Sequence, residues 1–184
     1  MLDFDYGPLR GLIGTWEGAK GMDISPEPDG VEENPFYETI VFEPAGDVEN
    51  AETRTLTIVR YHQVVSRKSN DKVFHDQVGY WLWDAEESLV MQTLTIPRAV
   101  CVVAGGVYHG ESEPGAVTLK VRAAQGDPDW GVVESPFMRD NARTLAFEHE
   151  LRLQGDRLCY SELTRLEIYG RSFDHTDTNE LTRR

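Results

Sequence analysis

Alternation dominates this chain. Short runs in which apolar and polar residues change places at every step recur along its length, with Gly, Asp, Asn and Pro clustered between them. A period of two sends successive side chains to opposite faces of an extended strand, and a helix cannot satisfy it. In "ETRTLTIVRYHQVV", Leu56 and Ile58 oppose Thr55, Thr57, Val59 and Tyr61. In "KVFHDQVGYWLW", one face carries Val73, His75, Gln77, Trp81 and Trp83, and the other Phe74, Val78, Tyr80 and Leu82. "TLAFEHELRL" aligns Leu145, Phe147, His149, Leu151 and Leu153. The β-branched runs "SLVMQTLT" and "RAVCVVAGGVYHG", the alternating "GAVTLKVRA", and the closing "GDRLCYSELTRLEIYG" and "SFDHTDTNELT" complete the pattern. Turn signals such as "WDAEES", "GESEPG" and "LQGDR" separate them. The pattern predicts an all-β chain of about ten strands, closed as an antiparallel barrel or stacked as a sandwich.

Polar residues on the inward faces favour the barrel. His75 and Gln77 stand beside tryptophans, and His149 stands among leucine and phenylalanine. A solid sandwich core accepts such groups only when they are paired. A closed barrel of roughly eight or more strands has an interior wide enough for a ligand, and a few polar groups inside then have a purpose. Two segments break the rhythm. "YGPLRGLIG" reads as a short N-terminal helical turn plugging one end, and "AQGDPDWGVVESPFMRDNAR" as a long loop with apolar Trp130, Val132, Val133, Phe137 and Met138. With no repeat or linker in 184 residues, the expectation is one domain, 1–184.

Charge excludes whole classes of partner. Eighteen basic against 32 acidic residues give a formal charge of −14, which repels nucleic acid and anionic membrane surfaces. No stretch approaches the roughly 20 apolar residues of a membrane span. The opening "MLDFDYGPLRGLIGTW" lacks a basic segment followed by an apolar run, so a cytoplasmic location is expected. Cys101 and Cys159 fit no zinc spacing and read as buried free thiols. Gly105 and Gly106 in "VVAGG" read as a bulge or bend. There is no Gly-x-Ser-x-Gly elbow, and nothing singles out a carboxylate pair.

Three stretches carry a resemblance. "LIGTWEG" supplies Gly14, Trp16 and Gly18 of a Gly-x-Trp-x-Gly-x-Gly opening; "FHDQVGYW" supplies His75, Gly79 and Tyr80 of a His-x-x-x-Gly-Tyr strand; and "IYGRSFDHTDTNELTRR" ends on a histidine-bearing strand and a basic terminus. In that order and spacing the chain resembles the nitrobindin family, heme-binding β-barrels shaped like lipocalins and fatty-acid-binding proteins. Lys20 replaces the third glycine, Gln77 stands where the family has Glu, and an acidic "SPEPDGVEENP" follows the first strand. The resemblance implies a calycin-like barrel holding ferric heme b, with His175 as axial iron ligand and His75 lining the pocket. It also implies nitric oxide binding and isomerisation of peroxynitrite to nitrate.

Each histidine also has a plainer reading. His175 would otherwise be a surface residue in a polar edge sequence, and His75 a core residue bonded to a neighbouring strand. His149 rivals His175 for the cavity, or is a satisfied core histidine. His62 and His109 read as structural or exposed. Asp174 and Asp177 are near enough to orient His175, and only Asp177 shares its strand face. Trp16 reads as packing the closed end, while Tyr80, Trp81, Trp83 and Met91 wall a pocket or fill the core. Two other readings stay open: a non-catalytic barrel for a fatty acid or similar apolar ligand, and a filled barrel with a structural role. A homodimer would have to use side chains or the long loop, because a closed barrel leaves no free edge.

Overall fold

The computed structural model describes residues 4–111 and 113–184, so Met1 to Asp3 of the expected domain, and Ser112 of the "GESEPG" turn signal, lie outside the described residues. Among the described residues, eleven strands form one antiparallel sheet: β1 (Gly14–Glu27), β2 (Gly30–Asn50), β3 (Arg54–Arg67), β4 (Val73–Asp84), β5 (Leu89–Ile96), β6 (Val100–Val107), β7 (Ala116–Ala124), β8 (Val132–Glu134), β9 (Ala142–Gln154), β10 (Arg157–Ile168) and β11 (Arg171–Arg183). Ten of them close a barrel in the order β1-β2-β3-β4-β5-β6-β7-β9-β10-β11, with β11 returning to β1; β8 is an extra strand laid on β6. The expected all-β barrel of about ten strands is therefore the fold.

One end is sealed by side chains. A 3-10 helix (Gly7–Leu12) carries Pro8 in its first turn, where the missing N–H costs nothing, and sinks Leu9 and Leu12 completely. Trp16 packs beneath it, as expected, and its indole N–H donates to the Leu12 carbonyl at 2.6 Å. The Arg183 guanidinium lies 4.3 Å from the centre of that indole ring.

Bulges decide which residues face inward. Register shifts between Gly18 and Gly21 turn the inward set of β1 from even to odd positions, so Trp16 and Asp23 both point into the barrel. A side chain at Gly18 would put a Cβ 2.6 Å from the Glu180 carbonyl, so the close approach of β1 and β11 requires glycine. A second shift, between Val65 and Ser66 of β3, lets Phe74 join His75 on the cavity side, although simple alternation assigns them opposite faces. A third, opposite Arg165, makes Thr144 rather than Leu145 the buried residue at the start of β9.

Other expectations are corrected. The long "AQGDPDWGVVESPFMRDNAR" segment is not a bare loop: it contains β8 and a helix, α1 (Pro136–Asn141), capped by the Ser135 hydroxyl accepting from the Met138 N–H. Trp130, Val132 and Met138 pack on the core, whereas Val133 and Phe137 face outward. Gly105 and Gly106 form no bulge, since β5 and β6 pair without a shift there; Gly105 makes room for the Trp130 ring, 2.5 Å from where a Cβ would stand. Both cysteines are free, but Cys101 is exposed and Cys159 only half-buried. Trp81 fills the core, Trp83 packs edge-on against Tyr108, Tyr80 faces outward, and neither these nor Met91 line the cavity described below.

Leu9→Ala is expected to lower stability by about 2–5 kcal/mol through the cavity it leaves under the plug. Val133→Ala, on an exposed face, should stay within about 0.5 kcal/mol of the parent. Urea midpoints followed by circular dichroism check both.

Candidate functional site

The end opposite the plug is hollow. A cavity of about 380 Å³ opens there, within the range of about 300–1,000 Å³ typical of small-molecule sites. Its upper wall is apolar, with Leu94, Ile96, Val100, Val102, Phe147 and Leu166. Its floor is polar, and a hydrogen-bonded layer beneath that floor separates it from the sealed core. Tyr61 accepts from the amides of Gln77 (2.7 Å) and Gln92 (2.8 Å), and Glu38 accepts from Gln63 (2.6 Å) and Asn179 (2.7 Å). These pairings explain why the barrel tolerates so many polar residues inside.

His175 and His75 both line this cavity. They stand on β11 and β4, four strands apart one way round the ten-stranded ring and six the other, so they face the space from nearly opposite walls. His149 does not line it. Its ring is enclosed by Trp81, Phe147 and Tyr160, and its Nδ1–H donates to Gln92 Oε1 at 2.9 Å. Of the two rivals for the cavity, the structure brings His175 to it. His62 is exposed and paired with Asp76, and His109 is exposed.

The partner that orients His175 is Asp23, which sequence reasoning missed. Asp177 of β11 lies directly across from Asp23 of β1, so His175, two residues before it, is a diagonal neighbour of Asp23. Its Nε2–H donates to Asp23 Oδ1 at 2.6 Å, while Asp177 stands 3.4 Å away. Asp23 is itself fixed by Asn34 (2.9 Å) and Ser25 (3.0 Å). Burial works against its charge, but the hydrogen bonds from His175 and Asn34 hold the Asp23 carboxyl below the ordinary carboxylate range. Burial likewise opposes a charge on His175, yet Asp23 and Asp177 push its pKa above the ordinary value. Asp174, the other carboxylate near in sequence, points outward and binds Arg165. On the facing wall His75 donates to Gln77 Oε1 at 3.2 Å, and burial pushes its pKa down.

One rung of the ladder concentrates acid. Asn34, Asp23, Asp177, Glu162 and His149 are successive cross-strand partners on β2, β1, β11, β10 and β9. Burial pushes Glu162 up to about 8, with the nearby Glu38 adding to the effect, and pushes His149 down to about 4. Their nitrogen and oxygen lie 3.9 Å apart, yet burial leaves both neutral at pH 7 rather than paired as ions. The signal for Glu162 was present: it alternates with Leu158, Tyr160 and Leu166 on an otherwise inward face. The bulge concealed Asp23.

The donor set suits a heme iron. An imidazole on the cavity wall has one nitrogen tied to a buried carboxylate, and its other nitrogen makes no hydrogen bond among the described residues. The apolar wall above it suits a porphyrin face.

Comparisons with known proteins agree. A model of the THAP4-like, heme-binding β-barrel domain matches residues 5–183. The crystal structure of Rv2717c from M. tuberculosis superposes with a TM-score of 0.71 at 19% identity, covering 99% of each chain; at that identity the likeness speaks for the fold. No curated protein matches the chain.

The neutral rung predicts an opposed pH response. A carboxyl raised from 4.5 to about 8 favours the fold at low pH, and this contribution disappears as pH rises through that interval. A histidine lowered from 6.5 to about 4 costs stability as pH falls between those values. Glu162→Gln should therefore unfold at the same urea concentration as the parent near pH 4, below that interval. At pH 9 it should be more stable by roughly 2–4 kcal/mol. Equal midpoints at pH 9 would show that Glu162 ionises freely in the fold.

Proposed function

The chain belongs to the THAP4-like, heme-binding β-barrel domain family, and we propose that its cavity binds ferric heme b through one axial histidine, His175. The observation that carries this reading is the Asp23–His175 pair on the cavity wall, with the second ring nitrogen unpaired among the described residues. Asp23 sets the tautomer: an ionised carboxylate can only accept, so the facing Nε2 keeps its proton and Nδ1 is the nitrogen that gives one up and offers its lone pair to a metal. Asp177 stands 3.4 Å from Nε2, but burial pushes its carboxyl well above the ordinary range, so Asp23 is the anionic partner. When bound, heme supplies an iron with one open coordination position, suited to a diatomic molecule or a small oxidant.

The protein's own residues do the rest. His75, held by Gln77 on the facing wall, offers a ring kept neutral by burial, able to form a hydrogen bond to a small molecule without donating full charge. Phe74, Leu94, Val102 and Phe147 exclude water from the space between the two histidines. A neutral, sheltered pocket of this kind suits nitric oxide binding and the isomerisation of peroxynitrite to nitrate. These are the activities we assign to it, with heme as the cofactor.

Hemin titrated into the purified protein should produce a Soret band of a histidine-ligated ferric heme. His175→Ala should abolish or displace that band, and His149→Ala, at a residue that lies behind the cavity wall and does not line it, should leave it in place. A band that survives His175→Ala unchanged contradicts the ligand assignment. Asp23→Asn should weaken hemin binding by about 10- to 100-fold, the usual effect of losing a partner that orients a metal-ligating histidine.

A further inference from the structure

The cavity mouth carries two guanidinium groups, Arg98 without a partner among the described residues and Arg67 only partly satisfied. Arg98 sits on the turn between β5 and β6, lines the cavity, and forms no hydrogen bond or ion pair among the described residues. The turn is pinned, with the Ala99 N–H bonded to the Ile96 carbonyl and the Ser135 N–H to the Ala99 carbonyl, so Arg98 projects from a fixed base. Its positive charge is felt at both His75 and His175. Arg67, at the end of β3, lines the same mouth and stacks on Phe74 at 4.7 Å. Its Nε is shut off from solvent and has no acceptor, which is rare for a buried N–H. The two arginines flank the start of β4, where His75 lies. Glu27 and Glu32 share the rim, but Glu32 already accepts from Asn34 and stands 3.8 Å from Arg67.

One guanidinium without a partner and a second whose Nε lacks an acceptor, at the mouth of an apolar cavity in a chain of charge −14, mark the place for an acid group on an apolar body. We propose that Arg98 and Arg67 form a carboxylate-binding rim that fixes the acid edge of the ligand at the cavity mouth, above His75. Guanidinium matches a carboxylate in plane and in charge and can bind it with two parallel hydrogen bonds. Under the heme reading, on which this assignment rests, the acid edge is the pair of propionates, and the rim dictates which edge of the macrocycle faces out. A fatty acid presents the same chemistry, one carboxylate on an apolar chain.

Three probes separate these sources: hemin, hemin dimethyl ester, which keeps the iron and loses the acid charges, and palmitate. Arg98→Glu is the informative variant, because an exposed turn residue with no partner can change without disturbing the fold; circular dichroism verifies this. Arg67→Gln supplies a second, independent removal of charge. The parent should bind hemin at least fivefold more tightly than its dimethyl ester. Arg98→Glu should weaken hemin by about tenfold, in line with the loss of one charged hydrogen bond, and leave the ester unchanged. If the parent takes up no hemin but binds palmitate, and Arg98→Glu weakens palmitate, the heme reading fails and the rim stands. Equal affinity for hemin and its ester, with Arg98→Glu and Arg67→Gln both indifferent, overturns the rim and leaves axial ligation by His175 intact. Indifference of palmitate to both variants, where hemin does not bind, overturns it as well.

Discussion

Closing ten strands on themselves encloses more space than inward side chains can fill, and the rest of the molecule follows from how that space is divided. At one end the 3-10 helix, Trp16 and the leucines fill it completely. At the other it is left open and lined mainly with apolar residues. Between them lies a layer of amides, hydroxyls and acids that satisfy one another. Tyr61 takes two glutamine amides, Glu38 takes an asparagine and a glutamine, and Gln92 reaches His149. Such a layer is stable only when nearly every member is paired, so it fixes the height of the cavity floor.

The seam where the last strand meets the first is where the chemistry collects. β11 pairs with β1, and their register sets Asp177 against Asp23 and brings His175 within reach of the Asp23 carboxylate. Two short polar stretches, far apart in the chain, thus become one unit by closure alone. The carboxylate holds the ring in one orientation on the wall. Burial in the same rung keeps Glu162 and His149 neutral and pushes the Asp177 carboxyl well above the ordinary range, so the anionic partner of His175 is Asp23. His75 lines the same cavity from the facing wall.

Much of this was legible in the sequence, and the failures share one cause. Alternation gave the strands and their approximate number, because period two is a direct image of the pleat, and the polar residues on inward faces chose a barrel over a sandwich. Alternation also put His75 and Gln77 on inward faces, whereas His175 read as a surface residue until the family likeness brought it to the pocket. What alternation cannot show is a bulge. The extra residues near Gly18 reversed the inward set of β1 and hid Asp23; the shift near Phe74 and the one opposite Arg165 misassigned Phe74 and Leu145. The strand within the long loop was equally obscure, since Val132–Glu134 is too short to display a period and exists because β6 offers it an edge. Family likeness supplied heme, which no spacing of residues dictates.

The claim on which the functional account stands is that the Asp23-oriented imidazole of His175 grips the iron. Resonance Raman spectroscopy of the hemin-loaded, reduced protein tests it directly, because the iron–imidazole stretch reports both the bond and the hydrogen bond behind it. The account predicts such a line in the parent, shifted to lower frequency in Asp23→Asn, where the ring loses its anionic partner. The absence of that line, or a line at the same frequency in both proteins, would contradict it.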